Sequence, residues 1–345
     1  MSGDTPAATG RAGDTRAASS RWAVGWLDRD LAAAIALVLV SFALVTASRA
    51  LGPGFGSLEQ IKAILVIASF VMVVAFGQQM VILIGGLDLS VASMMTLGGV
   101  LTFSWIGAST PALLWGVPAI LLITGAIGAL NGIGVAVLTI PPFIMTLAMG
   151  IILYGVTLGF TQGAPQGHPS PFLATLFQAG PAGIPVLYLM AIGTSLGWLI
   201  QTRTSFGRKL YALGTNPTAA YVGGLPVRRL TVATYAISGA SAGLAGVLMV
   251  GYIGGVTLMM GQSYLLPSVA AVVIGGTSIT GGRGVYLGAV AGAILLTTLS
   301  TIVSSLGLAE GWRTIIYGAV IFVALLLLRD EVGIFWQRIS TRSKL

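Results

Sequence analysis

Residues 32–45 read AAAIALVLVSFALV, a run in which Ser41 is the only polar side chain. The stretch GAVIFVALLLLR at residues 318–329 is equally apolar up to its terminal arginine. Strands of a membrane-spanning barrel alternate apolar and polar residues over about ten positions, and neither stretch alternates. Apolar runs without alternation are typical of α-helices that cross a bilayer, whose hydrocarbon core is spanned by about 20 residues. The two stretches therefore predict an all-α membrane protein.

The composition of the whole chain supports this fold class. Of the 345 residues, 56% are hydrophobic and only 8% are charged, whereas a soluble domain carries about 25% charged residues. We expect a polytopic membrane protein with about ten transmembrane helices, some of them broken or re-entrant. A disordered tail is expected over residues 1–30 and a second tail over 330–345, on either side of a membrane domain at 31–329. The predicted spans are residues 31–47, 61–84, 89–107, 112–138, 143–161, 185–201, 232–253, 264–281, 284–306 and 312–329.

Basic residues predict the orientation of these spans. The loop over residues 202–230 contains five of them, and it has no acidic residue: Arg203, Arg208, Lys209, Arg228 and Arg229. Cytoplasmic loops are enriched in Lys and Arg, so we expect this loop in the cytoplasm. Six predicted spans precede the loop and four follow it, which places both termini on the same side. The net charge of +8 reflects such membrane-edge residues and does not indicate a nucleic-acid partner.

The sequence offers no residues for a cofactor, a metal ion or an ATPase site. Cysteine is absent, no metal-ligand spacing occurs, and the single histidine, His168, is expected to be exposed in an outer loop rich in proline and glycine. None of the lysines follows the glycine-rich turn of a nucleotide-binding P-loop. Asp88 is the only acidic residue within or near a span interior, too few for an ion relay. A membrane transporter without an ion relay or an ATPase site either lets a solute move down its concentration gradient or uses a separate ATPase as its motor.

Glycine is abundant, with 49 residues, and it recurs at four-residue spacing. This spacing lets helix backbones pack closely, either within one subunit or at a dimer face. The repeats are Gly128 and Gly132, Gly239 and Gly243, and Gly284, Gly288 and Gly292. Two double-glycine motifs also resemble each other, VILIGGLDLSV at 81–91 and AVVIGGTSITGG at 271–282. They indicate either two related halves of the chain or chance similarity in an apolar, glycine-rich sequence.

The 202–230 loop contains a short predicted helix with clear start and stop signals. Asn216 is a good N-cap, and Pro217 suits the first helical position, where its missing N–H costs nothing. Gly223 or Gly224 can take the left-handed conformation that ends a helix, and Pro226 prevents its continuation. A helix this short is marginal alone and must be held by packing. Its small, uncharged surface of Ala219, Ala220 and Gly223 suits either insertion into a groove of another protein or a purely structural role in the loop.

Five motifs of the chain, taken in order, resemble bacterial ABC-transporter permeases of the ribose/xylose/arabinose/galactose type. The motifs are IGGLDLSVASMMTLGG at 84–99, LNGIGVAVLTIPPFIMTLAMG at 130–150, FGRKLYALGTNPTAAYVGGLPVRR at 206–229, YAISGASAGLAGVL at 235–248 and SVAAVVIGGTSITGGRGVYLGAVAGA at 268–293. The resemblance covers residues 35 to 329. The chain departs from the family pattern at Ala92, Tyr154, Leu265 and Pro267, which leaves the transported substrate unassigned.

The resemblance implies a permease subunit in the bacterial cytoplasmic membrane that imports a monosaccharide. The implied partners are a second permease subunit in a homodimer, a cytoplasmic ATPase that binds ATP and Mg²⁺, and a periplasmic or lipid-anchored sugar-binding protein. The short helix would then be the coupling helix that docks on the ATPase, through Asn216, Pro217, Thr218, Ala219, Ala220 and Gly223. Alternatives are the same permease class with a nucleoside, polyol, sugar-derived signal or branched amino acid as cargo, and a stand-alone facilitator.

Polar and glycine residues within the predicted spans mark a solute pathway or helix breaks. They are Gln78, Gln79, Gly85, Gly86, Asp88, Ser90 and Asn131, with Ser93, Thr96 and Thr146 as further polar positions. A neutral sugar requires no charged pore residue, because hydroxyl and amide groups suffice. Gln78, Gln79 and Asn131 suit hydrogen bonds between helices equally well. Asp88 follows a glycine break, where its carboxylate can cap the next helix, and we favour this role over solute contact.

Overall fold

The computed structural model describes residues 14–52, 54–178, 180, 183–307 and 309–327, and within these ranges it contains helices and no β-strand. In chain order the helices are α1 (Asp14–Ser48), α2 (Leu58–Leu83), α3 (Val91–Leu101), α4 (Ala112–Ala136), α5 (Pro142–Thr161), α6 (Pro171–Thr175), α7 (Pro185–Arg203), α8 (Ser205–Thr215), α9 (Pro217–Val222), α10 (Val227–Ile253), α11 (Gln262–Ile274), α12 (Tyr286–Ser305) and α13 (Glu310–Leu327). Each of the ten predicted spans overlaps one of these helices, and the predicted span 264–281 extends seven residues beyond the end of α11.

Seven helices in the described part of the chain are long and apolar enough to cross a membrane: α1, α2, α4, α5, α7, α10 and α12. Two further apolar helices are shorter. One is α11, and the other is α3, which continues as a π-helical turn to Ile106. The predicted all-α polytopic fold is therefore confirmed, including short spans next to the double-glycine motifs.

Helix α1 differs from the prediction at its N-terminal end. A disordered tail was expected up to residue 30, but the chain is helical from Asp14, so that prediction is wrong for residues 14–30. No proline interrupts this segment, and the helix of the first span can therefore extend into it. Residues 1–13 and the predicted tail at 330–345 lie outside the described residues.

The loop between α7 and α10 contains two helices, whereas the sequence analysis recognised only the second. The missed helix, α8, begins after Thr204, whose hydroxyl accepts a hydrogen bond from the Gly207 N–H at 3.2 Å. It is amphipathic and buries Leu210 and Leu213, while Arg208 is exposed. Asn216 is the only residue between α8 and α9, so the two helices follow each other directly in the loop.

Helices α2 and α10 form the centre of the bundle. The most apolar window of α2 is 83% buried, compared with 17% for the peripheral helix α7. The repeated glycines allow this central packing. A methyl group on Gly128 would overlap the carbonyl oxygen of Tyr235, and one on Gly243 would overlap the Thr124 side chain. The four-residue repeats on α4 and α10 therefore join helices within the chain.

The two double-glycine motifs each end a helix and meet at one end of the bundle. We name residues 84–90, between α2 and α3, break 1, and residues 275–285, between α11 and α12, break 2. The N–H of Gly282 in break 2 donates to the carbonyl oxygen of Leu83, the last residue of α2, at 2.9 Å, and Gly281 lies directly against Gly85 of break 1. The similar motifs thus occupy corresponding positions after two apolar helices. Whether they mark related halves of the chain stays a prediction.

The two breaks lie at the end of the bundle that also carries the 202–230 loop, which we name the basic end. A cavity of about 260 Å³ is lined jointly by Gly85, Ala136, Pro142, Pro217 and Val227. These residues come from break 1, the α4–α5 turn and the 202–230 loop. Helices α2, α4 and α7 therefore all end at the basic end, as the predicted succession of spans requires.

Candidate functional site

Helix α9 begins and ends at the residues predicted from the sequence. The Oδ1 atom of Asn216 accepts a hydrogen bond from the Ala219 N–H at 2.9 Å, and Pro217 is the first helical residue. Of the two glycines proposed for the stop, Gly224 takes the left-handed conformation, with φ of 78°. The N–H of Leu225 then donates to the carbonyl oxygen of Ala220 at 3.0 Å and closes the helix.

Helix α9 has an inner face and an outer face, and the structure corrects the surface proposed from the sequence. Ala220 is buried and packs with Leu213 and Leu230, so it is not part of a docking surface. The largest exposed side chains are Tyr221 and Val222, at 74% and 80% exposure, and the sequence analysis did not select them. Pro217, Thr218, Ala219 and Gly223 are exposed as expected.

The surroundings of α9 are positively charged. A cleft of about 620 Å³ beside the helix is lined by Pro217, Thr218 and Tyr221 on one side and by Arg228 and Arg229 on the other. Both arginines are exposed, and no salt bridge holds either of them within the described residues. Exposed apolar side chains rimmed by cations are typical of a surface that binds a partner protein with a complementary, acidic or polar face.

Six of the polar residues expected in the spans are completely buried: Gln78, Gln79, Asp88, Ser90, Asn131 and Thr146. Asp88 lies in break 1 just before α3. Its Oδ1 atom accepts hydrogen bonds from the N–H and the hydroxyl of Ser90, at 3.0 and 2.5 Å. The carboxylate therefore binds the backbone and side chain of Ser90, the residue that precedes the first helical residue of α3, and it accepts no hydrogen bond from an N–H within the helix. The proposed cap on α3 stays a prediction.

The Asp88 cluster joins three further helices to break 1. The Oδ2 atom accepts from the Ser238 hydroxyl of α10 at 2.8 Å. The Asn131 amide of α4 donates to the Ser90 hydroxyl at 2.9 Å, and the Gln78 amide of α2 donates to the carbonyl oxygen of Asp88. Ser238 was not selected from the sequence, because nothing local indicates that α10 crosses break 1.

The other predicted polar positions serve separate contacts. Gln79 faces break 2, where its Oε1 atom accepts from the Thr277 hydroxyl at 2.7 Å. Thr146 on α5 accepts a hydrogen bond from the Leu89 N–H at 3.1 Å, and Ser93 donates to the carbonyl oxygen of Gly150 at 2.8 Å. Thr96 accepts from the Gly261 N–H at 3.1 Å. These hydrogen bonds support helix packing at each position.

Replacement of Asp88 tests its capping role. Asp88→Ala removes the acceptors for the buried Ser90 and Ser238 groups, and we expect the free energy of unfolding to fall by about 2 kcal/mol. Asp88→Asn should lose less, because its amide oxygen can still accept from the Ser90 N–H. Denaturant unfolding in detergent micelles measures both variants. A raised KM for transport in Asp88→Ala with wild-type stability would instead indicate contact with the solute.

The broken spans and the exposed, capped helix in a basic loop define a multi-pass membrane permease. The chain belongs to the permease family described as "Branched-chain amino acid transport system / permease component", whose model matches residues 60–325. It is 35% identical to the ribose import permease of Escherichia coli strain K12 over 295 residues, which are 84% of this chain and 91% of that protein.

Two further relatives are named for other sugars. The D-allose transport system permease of Escherichia coli strain K12 is 31% identical over 79% of this chain and 84% of that protein. The fructose import permease of Rhizobium meliloti is 33% identical over 85% of this chain and 84% of that protein. No solved structure matches the chain significantly.

Proposed function

We propose that this chain is the membrane-spanning permease subunit of a bacterial ABC importer for a monosaccharide. The observation that carries the proposal is its similarity, over most of its length, to permeases named for ribose, allose and fructose. The geometry supports the same reading, because the described spans contain hydroxyl and amide groups and a single buried carboxylate, Asp88, which is hydrogen-bonded to Ser90 and Ser238. A pathway of this composition suits a neutral solute.

The proposal includes the assembly around the chain. Two copies form the translocation pathway in the cytoplasmic membrane, with both termini in the cytoplasm. A separate ATPase, which holds ATP and Mg²⁺, docks on the outer face of α9, and a sugar-binding protein delivers the solute from outside. The chain is then a transport subunit without an ATPase site of its own. The exposed Tyr221 and Val222 and the neighbouring Arg228 and Arg229 support the docking surface.

One observation raises a second candidate cargo, a branched-chain amino acid. The description of the family names branched-chain amino acids, whereas the individual relatives are named for sugars. A free amino acid carries both a carboxylate and an ammonium group, and its recognition in a membrane is expected to use paired charges. Within the described residues the only salt bridge joins Lys62 and Glu59 near the start of α2. This arrangement favours the neutral sugar.

The decisive experiment is reconstitution in vesicles. The permease is combined with an ABC ATPase and a sugar-binding protein from the same organism, and uptake of labelled ribose, allose, fructose and leucine is compared. We expect uptake of at least one sugar that requires ATP, the ATPase and the binding protein together. Equilibration of a sugar in vesicles that contain the permease alone would indicate a facilitator, and ATP-driven uptake of leucine alone would replace the sugar assignment.

A further inference from the structure

The two breaks are in direct backbone contact, so a displacement of one is expected to displace the other. Besides the Gly282–Leu83 hydrogen bond, a methyl group on Gly281 would lie 2.8 Å from the backbone nitrogen of Gly85. The Gln79 side chain adds its hydrogen bond to Thr277 across the same contact. The joined breaks connect four helices, α2 and α3 through break 1 and α11 and α12 through break 2.

Helix α8 lies against the point where the breaks join. A methyl group on Gly214 would overlap the carbonyl oxygen of Leu83 and lie 2.5 Å from the Gly282 nitrogen, the two groups that form the hydrogen bond between the end of α2 and break 2. One turn earlier, the Tyr211 hydroxyl donates to the carbonyl oxygen of Gly284 at 2.7 Å. Ile84 of break 1 packs against the cluster that contains Leu213 of α8, so the last turns of α8 contact both breaks.

Gln201, near the end of α7, fixes the other side of break 2. Its side chain is completely buried. Its Oε1 atom accepts from the Tyr286 N–H at 2.6 Å, and its amide donates to the carbonyl oxygen of Gly284 at 3.3 Å. The side chain thus brackets Val285 and holds the first residue of α12. Its own carbonyl packs directly on Gly207 in the first turn of α8.

The connection from α8 to α9 is short and rigid. Asn216 joins the two helices, with its N–H donating to the carbonyl oxygen of Ala212 at 3.3 Å and its side chain capping α9. Leu213 of α8 and Ala220 of α9 pack in one cluster. A displacement of α9 must therefore also displace α8.

From these contacts we propose that α8 transmits movement of α9 to both breaks. Two positioning residues hold break 2 in this path: Gln201 attaches it to the end of α7, and Tyr211 attaches it to α8. The inference rests on the proposed function, in which an ATPase displaces α9. The contacts form one contiguous path from the exposed surface of α9 to the ends of four spanning helices. A path of packed contacts becomes evidence of coupling only when its interruption uncouples the two ends.

The test interrupts the path without touching α9. Tyr211→Phe removes only the hydroxyl, and Gln201→Met keeps the length of the side chain and removes both hydrogen-bonding groups. We expect each variant to bind the ATPase with wild-type affinity and to retain basal ATP hydrolysis. Sugar uptake should fall about fivefold for Tyr211→Phe, the size expected for one lost hydrogen bond, and further for Gln201→Met. The number of ATP molecules hydrolysed per sugar should rise accordingly.

Tyr188→Phe is the matched control, since the Tyr188 side chain on α7 is 59% exposed and makes no hydrogen bond within the described residues. It should leave uptake and the ATP-to-sugar ratio unchanged. If Tyr211→Phe and Gln201→Met also kept the wild-type ratio, or if ATPase affinity and uptake fell in parallel, the transmission role would be refuted. If the buried Gln201 variant fails to fold, the Tyr211→Phe variant alone still tests the transmission role of α8.

A second measurement separates this inference from the proposed function. Hydrogen exchange of the purified permease reports on break 2 without any transport. In Tyr211→Phe, amide exchange within residues 280–286 should accelerate about fivefold relative to wild type, and exchange in Tyr188→Phe should not change. If exchange is faster in Tyr211→Phe but the wild-type permease shows no ATP-driven uptake, the α8 contact would be supported and the proposed function refuted. Unchanged exchange would refute the contact itself.

Discussion

Replacement of Val222 by aspartate is expected to abolish ATP-driven uptake while the protein stays folded and inserted in the membrane. Val222 is 80% exposed on α9, so a polar residue costs little in the isolated permease. In the proposed complex the new carboxylate would be buried against the ATPase without a partner, which costs about 2 kcal/mol or more. ATPase affinity should therefore fall at least about thirtyfold, as measured by titration of the ATPase onto permease in nanodiscs.

Thr139→Asp is the matched control for this charge. Thr139 is exposed in the α4–α5 turn at the same basic end, and its φ of 55° is a conformation that aspartate tolerates well. It should keep ATPase affinity and uptake within about twofold of wild type. Wild-type affinity and uptake in Val222→Asp would show that α9 is a structural element of the loop and not the docking surface.

Enlargement of Gly246 is expected to have the largest effect on stability. A methyl group at this position in α10 would overlap the carbonyl oxygen of Met95 and lie 2.7 Å from the Gly99 nitrogen. Because both groups are backbone of α3, no side-chain rearrangement relieves the overlap, and the helices must separate. We expect Gly246→Ala to lower the free energy of unfolding by about 3 kcal/mol and Gly246→Val to prevent folding. Thermal unfolding and size-exclusion chromatography in detergent measure these effects.

Gly193 on α7 provides the control for the Gly246 series. Like Gly246, it lies in a helix long enough to span the membrane. A methyl group there would meet no atom of the described chain within 4 Å. Gly193→Ala should be neutral or stabilising by about 0.5 kcal/mol, since alanine is the better helix former. Equal losses at both positions would show that the close contact of α3 and α10 does not determine stability.

Features encoded within a few residues could be predicted from the sequence. The cap at Asn216, the start at Pro217 and the stop at Gly224 depend only on neighbouring backbone groups, and all three occur in α9. The spans were predictable for the same reason, because their lengths and apolar character are local. Asp88 could be assigned to the N-terminus of α3 because the acceptor and donor lie two residues apart.

Features that depend on distant segments were missed or misassigned. Ala220 looked like part of an outward surface because its small side chain gives no sign of Leu230, which covers it. Gln78 and Gln79 were treated alike, yet adjacent residues point about 100° apart on a helix, and they reach break 1 and break 2 respectively. Helix α8 is different: its cap at Thr204 and the helical spacing of Leu210 and Leu213 are local signals from which it could have been predicted.

The partners of break 2 have a consequence for how the chain is made. Leu83, Gln201 and Tyr211 all precede residues 275–285 in the sequence, so during synthesis they emerge from the ribosome earlier. Break 2 is therefore synthesised after the residues that it packs against. In a nascent chain that stops before residue 275, the surface that contacts break 2 is uncovered and the Gln201 amide lacks its partners. Such a chain is expected to depend on chaperones until translation resumes.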